Sequence, residues 1–125
     1  MAEVLIGTPV RLDLPFYTGS TFSRSFRLQN PDRTPIDLTG YTARMQVRAS
    51  KNSSTVLLEF TETNGRIFIE HVDGRITISV NSDDSDLVTV GGVYDLEIVL
   101  PQPPDPDFVQ RLAEGKFIVS RQATR

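Results

Sequence analysis

The sharpest pattern in the chain lies over residues 41–48. Tyr41, Ala43, Met45 and Val47 fall on one parity, and Thr42, Arg44, Gln46 and Arg48 fall on the other. Side chains alternate between the two faces of a strand, so this stretch predicts one apolar face and one wet, twice-basic face; a helix would scatter both sets around its axis. Just before it, Pro35 fixes its own φ and Gly40 admits backbone states that other residues resist, which lets the chain corner into the strand. The same period of two recurs downstream in Val56, Leu58 and Phe60, in Ile67 and Ile69, in Ile76, Ile78 and Val80, and in Tyr94, Leu96, Ile98 and Leu100. Asp95 and Glu97 fall on the outward parity of the last set. Upstream, Leu12 and Leu14 alternate with Asp13, and Phe22, Phe26 and Leu28 make a face that Arg24 interrupts near its rim.

Turn chemistry separates these runs. Tyr17-Thr-Gly-Ser20, Asn30-Pro-Asp-Arg-Thr-Pro35, Thr63-Asn-Gly65 and Val72-Asp-Gly74 carry the residues that tight turns favour. Pro15 marks its segment as an edge or a strand end, because proline cannot donate to a ladder. The first ten residues read as a short edge strand or an arm, and residues 122–125 as a polar tail. Residues 101–107, PQPPDPD, are too proline-rich for a ladder and predict an exposed hairpin loop between two flanking strands; 108–112 and 116–120 supply the last strands. Residues 81–90 break the alternation, and Ser and Asp there suit the start of at most one short helical turn near 82–89. The whole predicts an all-β sandwich or barrel of about eight or nine short antiparallel strands in a single domain, 1–125. Its expected core is Met45, Val47, Leu58, Phe60, Ile78, Tyr94, Leu96, Ile98, Phe117 and Val119.

Composition narrows the function more than the fold. The 125 residues include no cysteine, so disulfides, thiolate nucleophiles and cysteine zinc sites are excluded. Thirteen basic and 16 acidic residues give a net charge of −3, and no nucleic-acid partner is expected of a chain without a basic excess. No run approaches the roughly 20 apolar residues of a membrane helix, so no membrane partner is expected. The opening MAEVLIGTPV lacks the basic and apolar regions of a signal peptide.

Candidate chemistry is sparse. His71 is the single histidine and Asp73 is close to it, but no Gly-x-Ser-x-Gly elbow accompanies them, and a histidine at a hairpin end is expected to be a surface residue. Asn81, Asp83, Asp84 and Asp86 offer oxygen ligands of the kind calcium takes. The loop lacks the glycine and the twelfth-position glutamate of an EF-hand, and helix capping explains the same residues. Asp95 and Glu97 share the outward parity, which places them away from any cleft where two carboxylates would cut a glycoside. No catalytic, cofactor-binding or metal residues are assigned, and no enzyme activity or cofactor is expected. Arg24, Arg27, Arg44 and Arg48 form a candidate docking face if their strands are neighbours; otherwise they belong to a wet sheet surface neutralised by Glu59, Asp95 or Glu97. Phe16, Tyr17 and Phe108 lie beside turns and are the candidate exposed aromatics for stacking on sugar rings.

The series Tyr17-Thr-Gly-Ser-Thr-Phe22 with Phe26, Thr34-Pro-Ile-Asp-Leu-Thr-Gly40, Tyr41-Thr-Ala-Arg-Met-Gln-Val-Arg48, Gly74-Arg-Ile-Thr-Ile78, Gly92-Val-Tyr-Asp-Leu96 and Gly115-Lys-Phe-Ile-Val119, closed by Ala-Thr-Arg, spans nearly the whole chain. In this order and spacing it resembles small virion-associated proteins of tailed bacteriophages, and it is distantly similar to the immunoglobulin-like N-terminal domain of phage upper-baseplate proteins. The resemblance implies an immunoglobulin-like β-sandwich made in the bacterial cytoplasm and built into a virion at the tail, baseplate or neck. Its implied partners are other virion proteins, with a homo-oligomeric ring among the arrangements. The alternative is a carbohydrate-binding β-sandwich for host recognition, a reading that the absence of tryptophan disfavours.

Overall fold

The computed structural model describes residues 2–5 and 7–121; the expected polar tail at 122–125 and the closing Ala-Thr-Arg lie outside them. Ten strands and one helical turn follow in order among these residues: β1 (Ala2–Leu5), β2 (Val10–Arg11), β3 (Leu14–Tyr17), β4 (Phe22–Gln29), β5 (Thr42–Arg48), β6 (Val56–Thr61), β7 (Ile67–Glu70), β8 (Arg75–Val80), α1 (Ser82–Ser85), β9 (Gly92–Gln102) and β10 (Asp105–Ser120). One sheet has the order β1-β4-β8-β7. The other runs β2-β10-β9-β5-β6, with β3 also on β10. The apolar parities of both sheets share one core, as expected of an all-β sandwich.

Phe22 from the first sheet meets Phe16, Phe60 and Phe117 from the second, at centroid distances of 5.2, 6.2 and 5.7 Å. Nine of the ten residues expected in the core are buried, and Val119 packs half-buried against it. Three expectations change. The pairings β1–β4, β2–β10 and β3–β10 are parallel, so the sheets are mixed and not purely antiparallel. The alternating segment expected over 11–16 divides between two strands, β2 and β3, at Leu12 and Asp13, because the Asp13 carboxylate takes over a ladder position by accepting the Lys116 N–H at 2.9 Å. The last two expected strands are one, β10, with Leu112 as an extra residue bulged between Arg111 and Ala113.

The proline-rich segment is also corrected. β9 continues to Gln102 opposite Asp105, and only Pro103-Pro104 remains as the turn. Pro101 and Pro106 fit because the φ of proline is compatible with an extended chain; the ladder is irregular between Asp105 and Phe108, where Pro106 has no N–H to give.

The corner before β5 forms as expected. Gly40 has φ +87°, Leu38 is buried in the core, and the Leu38 N–H donates to the His71 carbonyl at 2.7 Å. Asp32 and Asp37 each accept bonds from the backbone N–H and hydroxyl of the threonine two residues on, Thr34 and Thr39. The threonine hydroxyls first, and the backbone donors next, hold both carboxyls below the usual carboxylate range. At the other end, Ser85 is fully buried; its Oγ donates to the Tyr17 carbonyl and accepts from the Gly19 N–H, which fastens α1 to the β3–β4 turn.

Candidate interaction surface

The four arginines proposed as one docking face are divided by the fold. Arg24 and Arg27 stand on β4 in the four-stranded sheet, and Arg44 and Arg48 stand on β5 in the other. The chain crosses the sandwich between these strands, so Arg27, on the outward parity of β4, faces the opposite way from Arg44 and Arg48, while Arg24 shares the inward parity of Phe22 and Phe26. Arg24 sits at the rim with its guanidinium 5.2 Å from the centre of the Phe22 ring. Arg27 lies opposite Glu3 on one side and Arg75 on the other.

Arg44 and Arg48 do share a face, the outer surface of the six-stranded sheet. Register builds its rows. Arg44 lies between Thr61 and Glu97 and is hydrogen-bonded to the Glu97 carboxylate; Gln46 lies between Glu59 and Asp95 and donates to Glu59 at 2.8 Å. The next strand contributes Arg111, which bonds Glu114 at 2.9 Å and approaches Asp95 at 3.6 Å, while Arg11 reaches the other oxygen of Glu114 at 3.4 Å. The hydrogen bond to Arg111 is the main reason the Glu114 carboxyl is held below its usual range, and its counterpart raises Arg111. Exposed pairs of this kind contribute little to stability, so they orient the face more than they stabilise the fold.

Arg48 differs from these. Its guanidinium donates to Gln46 Oε1 at 2.7 Å and to the Ser53 carbonyl at 2.8 Å, both neutral acceptors. Beside it opens a groove of about 260 Å³, with Val93 and Gly115 among its lining, Arg48 and Lys51 from the β5 side, and Arg11, Arg111 and Glu114 from the β10 side. Gly115 is required where the strands converge: a Cβ there would stand 2.4 Å from the Leu12 carbonyl oxygen. Tyr94 pins the same place from below by donating its hydroxyl to Leu12 at 2.5 Å, and burial, ahead of the charges of Asp13 and Glu114, pushes its phenol well above the ordinary value. Arg11, Lys51, Arg111 and Glu114 were not candidates from the sequence. Lys51 lies in the connection after β5, Arg111 and Glu114 come to one face only through the bulge at Leu112, and their convergence with Arg11 depends on pairing across β2, β10 and β5.

The remaining candidates separate cleanly. Phe16 is fully buried, against Phe22 and Phe117, because β3 turns Leu14 and Phe16 inward along β10; it is not an exposed aromatic. Tyr17 and Phe108 are exposed, the latter edge-on to Tyr41. His71 is half-buried at the β7–β8 hairpin. Asn81 caps α1 by accepting the Asp84 N–H at 2.8 Å, and the Asp84 carboxylate pairs with Arg66 at 3.3 Å.

No family model and no curated protein matches the chain. Solved structures match it by shape. The N-terminal domain of phage TP901-1 ORF48 superposes with a TM-score of 0.53 at 11% identity, over 94% of this chain and 93% of that one. A marsupial T cell receptor gives 0.55 at 12% identity, over 89% of this chain and 34% of the receptor chain. The fold is an immunoglobulin-like β-sandwich. At these identities the likeness carries architecture alone.

Proposed function

We propose that this protein is a non-enzymatic, protein-binding building block of a tailed-phage virion, working at the tail, baseplate or neck. The observation that supports the reading best is the end-to-end likeness to a phage domain, which takes in 93% of that domain's length, joined to the motif series along the sequence. The outer face of the six-stranded sheet is the surface offered to other virion proteins. Most of its charges are paired, and they are oriented around a groove, a form suited to recognising a complementary protein surface.

The test is mass spectrometry of purified particles. A fixed copy number relative to the major tail proteins is the expected result, and particles free of the protein would overturn the reading. Charge reversal at Arg44 is expected to leave the melting temperature within a few degrees of the parent, since an exposed pair contributes little, while lowering incorporation into particles; reversal at Arg48 also removes its bonds to Gln46 and the Ser53 carbonyl, so its melt is read separately.

A further inference from the structure

We propose that copies of this protein join head to tail, the acidic tip of the β9–β10 hairpin of one copy seating in the cationic groove of the next. The tip projects beyond the sandwich, and every residue from 101 to 109 is exposed. It presents two carboxylates, Asp105 and Asp107, on a strand-and-turn segment stiffened by four prolines. Among the described residues neither carboxylate has an ion-pair partner, whereas their counterparts on the sheet face, Asp95, Glu97 and Glu114, all do. A proline-stiffened tip has little conformational freedom to lose on docking.

The groove has the matching character. Four cations, Arg11, Arg48, Lys51 and Arg111, line it against two carboxylates, Asp95 and Glu114, which leaves an excess of two positive charges. That excess sits on the β5 side, where the guanidinium of Arg48 is held by neutral acceptors and Lys51 forms no ion pair among the described residues. Two unpaired carboxylates on the tip meet the groove's excess of two positive charges. The volume of about 260 Å³ is below the roughly 300–1,000 Å³ of pockets that enclose drug-sized ligands and suits a few side chains from a protein.

Topology makes the contact intermolecular. The groove lies at the start of β9, near Val93 and Asp95, and the tip follows the end of the same strand at Gln102. Seven residues of strand at about 3.3 Å each separate them by about 23 Å, so a tip cannot reach its own groove. A contact between two different surfaces repeats from copy to copy and produces a ring where the rotation closes. It gives the ring expected of a virion building block a molecular form, and for that purpose rests on the function proposed above.

The test is sedimentation velocity of the full chain over a concentration series at low salt. The parent is expected to form larger species that dissociate as salt rises. Arg48→Glu/Lys51→Glu and Asp105→Lys/Asp107→Lys, each alone, present like charges at both surfaces and should associate about tenfold or more weakly. An equimolar mixture of the two restores opposite charges at every contact and should restore assembly. A control, Arg24→Glu/Arg33→Glu, changes net charge by the same amount away from the groove and should assemble like the parent, which separates a local effect of the groove from one of net charge. Thermal melts of each variant establish folding, with Arg48→Gln/Lys51→Gln as the milder replacement. A parent that stays monomeric, single variants that assemble like the parent, or a swapped pair that assembles no better than either variant alone overturns the proposal. A monomeric parent found at fixed copy number in particles removes this contact and leaves the virion reading standing; assembly in solution with no copy in particles does the reverse.

Discussion

At the scale of single residues, the glycines separate two kinds of constraint. Gly40 needs its positive φ, but a Cβ there would meet only Leu100 Cδ1 at an ordinary 3.4 Å. Gly92 has no unusual φ, yet a Cβ would stand 1.9 Å from the Arg48 carbonyl oxygen, in the backbone of the neighbouring strand. Gly40→Ala should therefore cost only left-handed strain, about 1–2 kcal/mol. Gly92→Ala has to push β9 away from the end of β5 and should cost about 3 kcal/mol or more. Urea midpoints of the two variants check this, and equal losses would mean that the close approach at Gly92 relaxes freely. The need for glycine at 40 was legible beside Pro35 at the corner. The need at 92 was not, because the atom it makes room for lies 44 positions away in the chain.

At the scale of elements, the sandwich has to manage its free edges. β6 is an edge strand, and the turn that follows it covers part of that edge. Asn64 donates to the Glu59 carbonyl at 2.9 Å and accepts from the Thr61 and Arg66 N–H groups at 3.0 Å, while Arg66 adds a second donor to Glu59. Unpaired edge groups invite another strand, and side chains that occupy them oppose this. Asn64→Ala should lower stability by about 1–2 kcal/mol, as expected for several exposed hydrogen bonds lost together. It should also promote concentration-dependent association even in the Asp105→Lys/Asp107→Lys background, where the tip contact is absent. Light scattering identical to that background would show that Asn64 does not guard the edge. Thr63-Asn-Gly65 was readable as a turn, since Gly65 takes φ +77°, but the use of its asparagine to cover a strand edge was not. The proline-rich hairpin is a second case: its exposure was legible, and its continuation of two strands was hidden by the usual exclusion of proline from ladders.

At the scale of the whole molecule, the two sheets are bound by shared side chains more than by connections. Phe16, Phe60 and Phe117 of one sheet close around Phe22 of the other, so neither sheet retains an apolar packing surface without its partner. Unfolding is expected to be a single transition. Calorimetry at low concentration should give an enthalpy of about 90 kcal/mol near 60 °C, from 125 residues at about 0.7 kcal/mol each, equal to the van't Hoff value. Two resolved transitions would mean that the sheets melt separately.

Alternation of apolar and polar residues by itself determined the strand positions, the inward set and the turns, because strand periodicity and turn chemistry are local properties of the chain. It also determined that Arg44 and Arg48 share a wet face. Only the tertiary structure decided that Arg24 and Arg27 stand on the opposite sheet, that β1, β2 and β3 pair in parallel, and that Arg11, Lys51 and Arg111 gather with Arg48 around one groove. Each of these depends on which strand becomes the neighbour of which. That choice is made by burial of the whole core, and a period of two along one strand carries no information about it.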